Sequence, residues 1–221
     1  GQNYENQAVA NGDGRYALTL PAGSYTLIPF VDGTGALDGQ KLILAKGQEA
    51  ELDLTLPQAA QLSFDVTDGA GAALPCKIFA DRADGRLAPT EAFGEFLWHA
   101  GHQWVVHSES GRGTIPLPAG TYTITASRGY EYSFDAETLT LTAGQETKFS
   151  GALTRVVDTA GFVSSDFHLH SKASQDSDVS YEDRIRSSVS EGLEAPISTD
   201  HGSVVIWPAY FAGSDLSQPN S

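Results

Sequence analysis

Residues 162–170 read FVSSDFHLH, which sets His168 and His170 two positions apart. On a strand, side chains two apart share a face, so both imidazoles point the same way and Asp166 joins them. Phe167 and Leu169 then point into the packed layer. Asp176 follows in a polar stretch, and His201 closes a second apolar run, APISTDH at 195–201. Three imidazoles and a carboxylate form a nitrogen–oxygen donor set suited to zinc, manganese or iron. Singly these are ordinary features. A lone HxH pair is usually a half-exposed strand pattern, Asp176 a solvated loop acid or cap, and TDH a common tripeptide. Their order, with one helix between two strand ends, is what points to a metal site.

The elements that must position these groups can be read from periodicity. Ser180 has the character of a helix N-cap, with Asp183 three positions on at capping-box spacing. Tyr181, Ile185, Val189 and Leu193 recur every fourth residue, a narrow apolar stripe. Gly192 stands where helices commonly end. The pattern is strand–helix–strand, the unit of parallel α/β folds. In such folds the C-terminal ends of strands form the active-site rim. His168 and His170 fall at one such end and His201 at the next.

Before residue 156 the pattern is different. Residues 14–28 read GRYALTLPAGSYTLI and residues 111–125 read GRGTIPLPAGTYTIT. Pro21 matches Pro118, Gly23 matches Gly120 and Tyr25 matches Tyr122, an offset of 97 each time. Gly47, Gln48 and Glu49 match Gly144, Gln145 and Glu146 at the same offset. Two blocks at one offset are the mark of a tandem duplication. Each copy reads as short alternating strands separated by turns, the grammar of a β-sandwich. The expected division is 1–57, the later strands of a first sandwich; 58–155, a complete second one; and 156–221, the start of an α/β domain. A half sandwich exposes an apolar face. The first copy therefore predicts strands supplied from outside this chain, and the chain is expected to be a piece of a longer polypeptide.

The motif LPAG-[ST]-YT with its AGQE turn resembles the carboxypeptidase regulatory-like, transthyretin-like sandwich family. DFHLHSKASQDSD and the segment ending STDHG resemble the start of the PHP (polymerase and histidinol phosphatase) superfamily, closest to its carbaryl hydrolase-like branch. The PHP resemblance implies a (β/α) barrel, here truncated to its first β-α-β unit. It implies His168, His170, Asp176 and His201 as ligands of a multinuclear zinc, manganese or iron centre. Asp200 and Asp166 would support the ligands from behind. The likeness spans about residues 162–205. The later ligands of such a barrel, a Glu, two further His and a final Asp-x-His, have no place in residues 202–221.

Charge and composition bound the partners. The chain of 221 residues has 28 acidic against 13 basic residues, net −15, which excludes a duplex-binding surface built on clustered Lys and Arg. Cys76 is the single cysteine, so there is no internal disulfide and no cysteine-based zinc site. No apolar run reaches the roughly 18–20 residues of a membrane helix. Tandem sandwiches with an acidic surface and few lysines suggest export, to a periplasm or beyond.

Weaker chemistry lies elsewhere. Residues 98–107 gather His99, His102 and His107 beside tryptophans, a metal clip on one reading and a Trp-rich strand with surface histidines on the more ordinary one. Gly33 to Gly39 lacks the strand–helix setting of a phosphate loop. Ser164, Ser165 and Ser171 lie near histidines without a nucleophile elbow. The resulting expectation is a fold that is mostly β, carrying a metal-dependent hydrolase. Metal-activated water would attack a small-molecule phosphoester, carbamate or ester, and this piece alone would be inactive. The alternative is a non-catalytic sandwich module, a stalk or a binding element for carbohydrate or protein.

Overall fold

The computed structural model describes residues 6–31, 33–36, 39–85 and 105–205. His99 and His102, and most of the apolar stretch from Val204 to Phe211, lie outside them. The chain forms two compact units. One comprises Gly1–Phe30 with Ala36–Leu56, the other Val31–Gly35 with Pro57–Ser221. It is mostly β, with several sheets, no barrel and one helix among the described residues.

In the first unit, β1 (Gly23–Leu27) pairs antiparallel with β4 (Gln40–Leu44), Gly23 opposite Leu44 and Tyr25 opposite Leu42. The two-residue strands β2 (Phe30–Val31) and β3 (Gly35–Ala36) form a small ladder of their own.

Among the described residues the larger unit holds a seven-stranded sandwich. One sheet orders β10 (Asp135–Leu141), β9 (Gly120–Ser127), β6 (Cys76–Arg82) and β7 (Val105–Ser108), all antiparallel. The other orders β11 (Glu146–Leu153), β5 (Ala60–Asp68) and β8 (Arg112–Leu117). In it β5 runs parallel to β11 and antiparallel to β8. The period-two pattern decides which face closes. Along β5, Ala60, Leu62, Phe64 and Val66 turn inward, none more than 4 % exposed. They meet Cys76, Ile78, Tyr122 and Ile124 of the facing sheet in one core. Each large apolar side chain closed off this way contributes about 1.5–3 kcal/mol. Burial pushes the Cys76 thiol up to about 12, so it serves as a small core residue rather than a nucleophile.

The ladders carry the duplication at the level of register. Gly23 faces Leu44 and Gly120 faces Leu141; Tyr25 faces Leu42 and Tyr122 faces Leu139. Each pair moves by 97 on both strands. The Tyr25 hydroxyl donates to the Pro21 carbonyl at 2.6 Å and the Tyr122 hydroxyl to the Pro118 carbonyl at 2.8 Å. Gly47 and Gly144 turn the chain with φ of 72° and 71°.

After the sandwich come β12 (Ser165–Leu169), α1 (Tyr181–Ser190) and β13 (Ala195–Ser198), with β12 and β13 parallel. Ser180 caps α1, accepting from the Asp183 N–H at 3.1 Å while its hydroxyl donates to the Asp183 carboxylate at 2.7 Å. At the other end Gly192 takes φ +77°. Its N–H reaches the Val189 carbonyl and the Leu193 N–H the Ser188 carbonyl, a Schellman closure. Ile185 and Leu169 form the centre of a small second core, with Val189 and Val205 against it.

Candidate functional site

The His–Asp cluster is assembled by β12, the loop behind it and the end of β13. The pairing of β12 with β13 shifts register between Asp166 and Leu169. The Asp166 carboxylate accepts the His168 N–H at 2.9 Å across this irregularity. The bulge corrects one expectation. Leu169 is buried, but Phe167 is 74 % exposed, because one irregular step breaks strict alternation. The histidines converge nonetheless. Nε2 of His168 lies 3.0 Å from Nε2 of His170, and the ring of His201 stands edge-on to His170 with centroids 4.8 Å apart.

Asp176 closes the group. Its oxygens lie 2.9 and 3.0 Å from His170 Nδ1, and one is 3.4 Å from His201 Nε2. The His170 hydrogen bond holds the Asp176 carboxyl below the ordinary carboxylate range. One donor atom from each of His170, Asp176 and His201 falls within 4.8 Å of the others. Tetrahedral coordination at about 2.1 Å sets donor atoms roughly 3.4 Å apart, so these spacings, with His168 at the side, fit a small divalent cation after minor adjustment. The side chains of Asp176 and His201 are more than half exposed, so the cluster stands open to water.

Asp200 is buried, at 8 % exposure. Its carboxylate accepts from the Ser171 N–H at 2.6 Å, the Ser171 hydroxyl at 2.9 Å and the Ser198 hydroxyl at 2.7 Å. The Ser174 hydroxyl in turn accepts the His201 N–H at 2.8 Å. Burial would raise the Asp200 carboxyl. The hydrogen bonds of Ser198, Ser171 and Ser174 outweigh it and leave the group below its ordinary value. Asp200 thus fixes the turn carrying His170 and the end of β13, and reaches His201 through the backbone. Sequence reading missed Ser174 and Ser198 and set Ser171 aside as a poor nucleophile. The usable signal was Asp200 itself, since a carboxylate between two strands needs nearby donors.

A second set of polar side chains seats α1 on the sandwich. Arg128 is 3 % exposed and donates to the carbonyls of Pro75 at 2.8 Å and Val189 at 2.9 Å. Its guanidinium also stands over the Tyr132 ring, 5.5 Å from the centroid. Lys77 pairs with Glu191. His107 joins Nδ1 to the Ser190 hydroxyl at 2.6 Å, and burial lowers its pKa. His107 therefore works as a tie between strand and helix.

No family model matches the chain, and no curated protein does. Solved structures similar to it include the minor pilin GBS52 of Streptococcus agalactiae, at 14% identity and TM-score 0.37, covering 68% of each chain. The shaft pilin SpaA of Lactobacillus rhamnosus GG gives 11% and 0.33, covering 68% of this chain and 70% of that one. A streptococcal ancillary pilin gives 12% and 0.32; this chain covers 46% of it and is itself covered over 62%. These findings correct the PHP resemblance and the hydrolase reading built on it: no family model and no curated protein supports either resemblance, and the similar structures named above are pilins. The hydrolysis of a small-molecule ester or phosphoester falls with them. HxH and TDH matched a local spacing and not a fold. Among the described residues β12 and β13 form a two-stranded sheet, and α1 packs on β6 and β7 of the sandwich. No described helix is long and apolar enough to cross a membrane.

Proposed function

We propose that the chain is a non-catalytic β-sandwich module, a stalk or adhesion element of an exported protein, acting through contact with protein or carbohydrate. The observation that carries this reading is the repeated ladder. Gly23 opposite Leu44 recurs as Gly120 opposite Leu141 without a gap. Repeated small sandwiches give length and surface, which is what a stalk requires. The net charge of −15 favours partners with basic surfaces and makes binding weaken with salt.

Within this reading the His–Asp cluster is a cation seat that staples the loop after β12 to the end of β13. His170, Asp176 and His201 are the donors, with His168 beside them and Asp200 and Asp166 holding the backbone. Zinc, manganese or iron suits the donor set. The test combines turnover with metal binding. Aryl phosphate and aryl carbamate esters are offered to the chain with added Zn²⁺ or Mn²⁺, and Co²⁺ uptake is followed by visible absorption. The expected result is no turnover, with cobalt binding lost in His170→Ala and His201→Ala. Turnover that disappears in those variants would overturn the non-catalytic reading, and unchanged cobalt uptake would overturn the seat.

A further inference from the structure

The first copy of the repeat has the side chains of a core without the burial of one. Leu18, Leu20, Tyr25, Leu27, Leu44 and Leu52 alternate with exposed neighbours, and each is only half-buried. Their counterparts at the offset of 97 are Ile115, Leu117, Tyr122, Ile124, Leu141 and Phe149, none more than 2 % exposed. No described residue of the first 57 belongs to the buried apolar core. Exposed apolar area on this scale marks a surface that is normally covered.

Ladder order says what is lacking. In the second copy β5 lies between β11 and β8, and β6 lies beside β9. The segments of the first copy that correspond to β8 and β11 are residues 15–20 and 49–56. Neither carries a ladder, whereas the counterparts of β9 and β10 do pair, as β1 and β4. A strand resting on two partners is the one whose removal leaves both unpaired. The missing element is therefore a β5-type strand, with a β6-type strand on the free edge of β1. By the same offset, the counterpart of Ala60 falls ahead of Gly1.

We infer that this face is an interaction surface for a β5–β6–β7-type segment located upstream of Gly1 in the same polypeptide. That segment inserts its first strand between residues 15–20 and 49–56. One residue of it can be specified. In the second copy Phe64 pairs with Gly113, and a Cβ built on Gly113 would stand 2.6 Å from the Phe64 ring. The first copy carries Tyr16 at the position of Gly113, and the Tyr16 hydroxyl donates to the Leu52 carbonyl at 2.8 Å. The aromatic residue has changed strands, so the companion strand carries glycine or another small residue at the place of Phe64.

The 221-residue chain supplies the first arm of the test. Amide exchange at residues 15–20 and 49–56 is expected to be fast and at 112–117 and 146–153 slow, with a hydrophobic dye bound and the chain monomeric. The second arm fuses a copy of residues 58–108, bearing Phe64→Gly, directly ahead of Gly12. Protection at 15–20 and 49–56 should rise by at least about 100-fold, the span between open and core amides, and dye binding should fall. Adding Leu62→Lys to the fused copy should reverse both changes while residues 112–153 stay protected. Slow exchange in the monomeric 221-residue chain would overturn the inference. So would a dimer protected at these residues, since a second copy would then be the occupant, and so would a fusion whose protection does not rise.

Discussion

Tyr25 and Tyr122 occupy the same place in the same ladder and make the same hydrogen bond, yet one is half-buried and the other fully buried. Local structure is thus identical where packing is not. The LPAG turn before the first strand, the GQE turn after the second, the alternation of apolar residues and the hydroxyl-to-carbonyl bond of the tyrosine accompany the paired strands in both copies. They do not by themselves make a core. The second copy gains its core from β5, β6 and β7, which bring Leu62, Phe64, Cys76 and Ile78 against the hairpin. The pair of copies therefore separates what a repeat motif encodes locally from what only its distant partners provide.

The largest test of that separation truncates matched core positions. Phe149→Ala empties the centre of the closed sandwich and should cost about 3–5 kcal/mol. Leu52→Ala at the matched site, half-buried, should cost no more than about 1 kcal/mol. Calorimetric unfolding of both variants checks this, and equal losses would mean that the first copy is as well packed as the second.

The next test uses two glycines. Gly14 and Gly111 sit at matched turns with φ of 76° and 71°. Alanine at either is strained by about 1–2 kcal/mol for its left-handed backbone. At Gly111 the new Cβ would also stand 2.4 Å from the Leu74 carbonyl oxygen, whereas at Gly14 it meets nothing within 4 Å. Leu74 belongs to the β5–β6 turn, whose counterpart at the same offset falls outside residues 1–57. Overpacking against backbone adds about 1–3 kcal/mol, so Gly111→Ala should lower the melting temperature by several degrees more than Gly14→Ala. Equal shifts would show that the close approach at Gly111 relaxes.

These paired positions also mark how far the sequence could be read. The duplication, the strand grammar, the cap at Ser180 and the stop at Gly192 were legible, because each depends on residues within a few positions of one another. His168, His170 and Asp176 are likewise close in sequence, and His201 joins them through the parallel pairing of β12 with β13 that the strand–helix–strand pattern implied. What failed depended on distant packing or on inference beyond the residues. The bulge that turns Phe167 outward arises from the pairing of β12 with β13. The burial of Arg128 needs the helix end that it caps, 61 residues away. The hydrolase expectation extended two short motifs to the first unit of a barrel, although a few ligands at two strand ends suit any cation seat.

A smaller effect follows from the tyrosine hydroxyls. Tyr122→Phe leaves the Pro118 carbonyl without a partner inside the core, at a cost of roughly 1–2 kcal/mol. Tyr25→Phe exposes the Pro21 carbonyl to water and should cost under about 0.5 kcal/mol. Burial also pushes the Tyr122 hydroxyl up to about 12. Spectrophotometric titration of Tyr122→Phe should therefore lose a late-titrating tyrosine, and an unchanged titration curve would place the Tyr122 hydroxyl outside the core.

The smallest effect concerns two arginines at matched positions. Arg112 on β8 donates to the Asp65 carboxylate of β5 at 3.0 Å, and that hydrogen bond holds Asp65 below the ordinary carboxylate range. Arg15 has no such ion pair among the described residues. A carboxyl depressed in the folded state stabilises it at any pH above the unfolded carboxylate pKa, near 3.9. The contribution disappears as pH falls through the lower folded value. Arg112→Gln should therefore be slightly less stable than the parent chain at pH 7, and the two should converge as acidification carries the Asp65 carboxyl through its lowered folded value. Because the Arg112 side chain is 61% exposed, salt should shrink the gap as well. Arg15→Gln should show neither dependence. Melting temperatures of the three proteins between pH 7 and pH 2.5, in low and high salt, decide the matter. A gap for Arg112→Gln that persists unchanged at the acid end would mean that the arginine stabilises β8 by packing its stem, with the Asp65 charge contributing nothing.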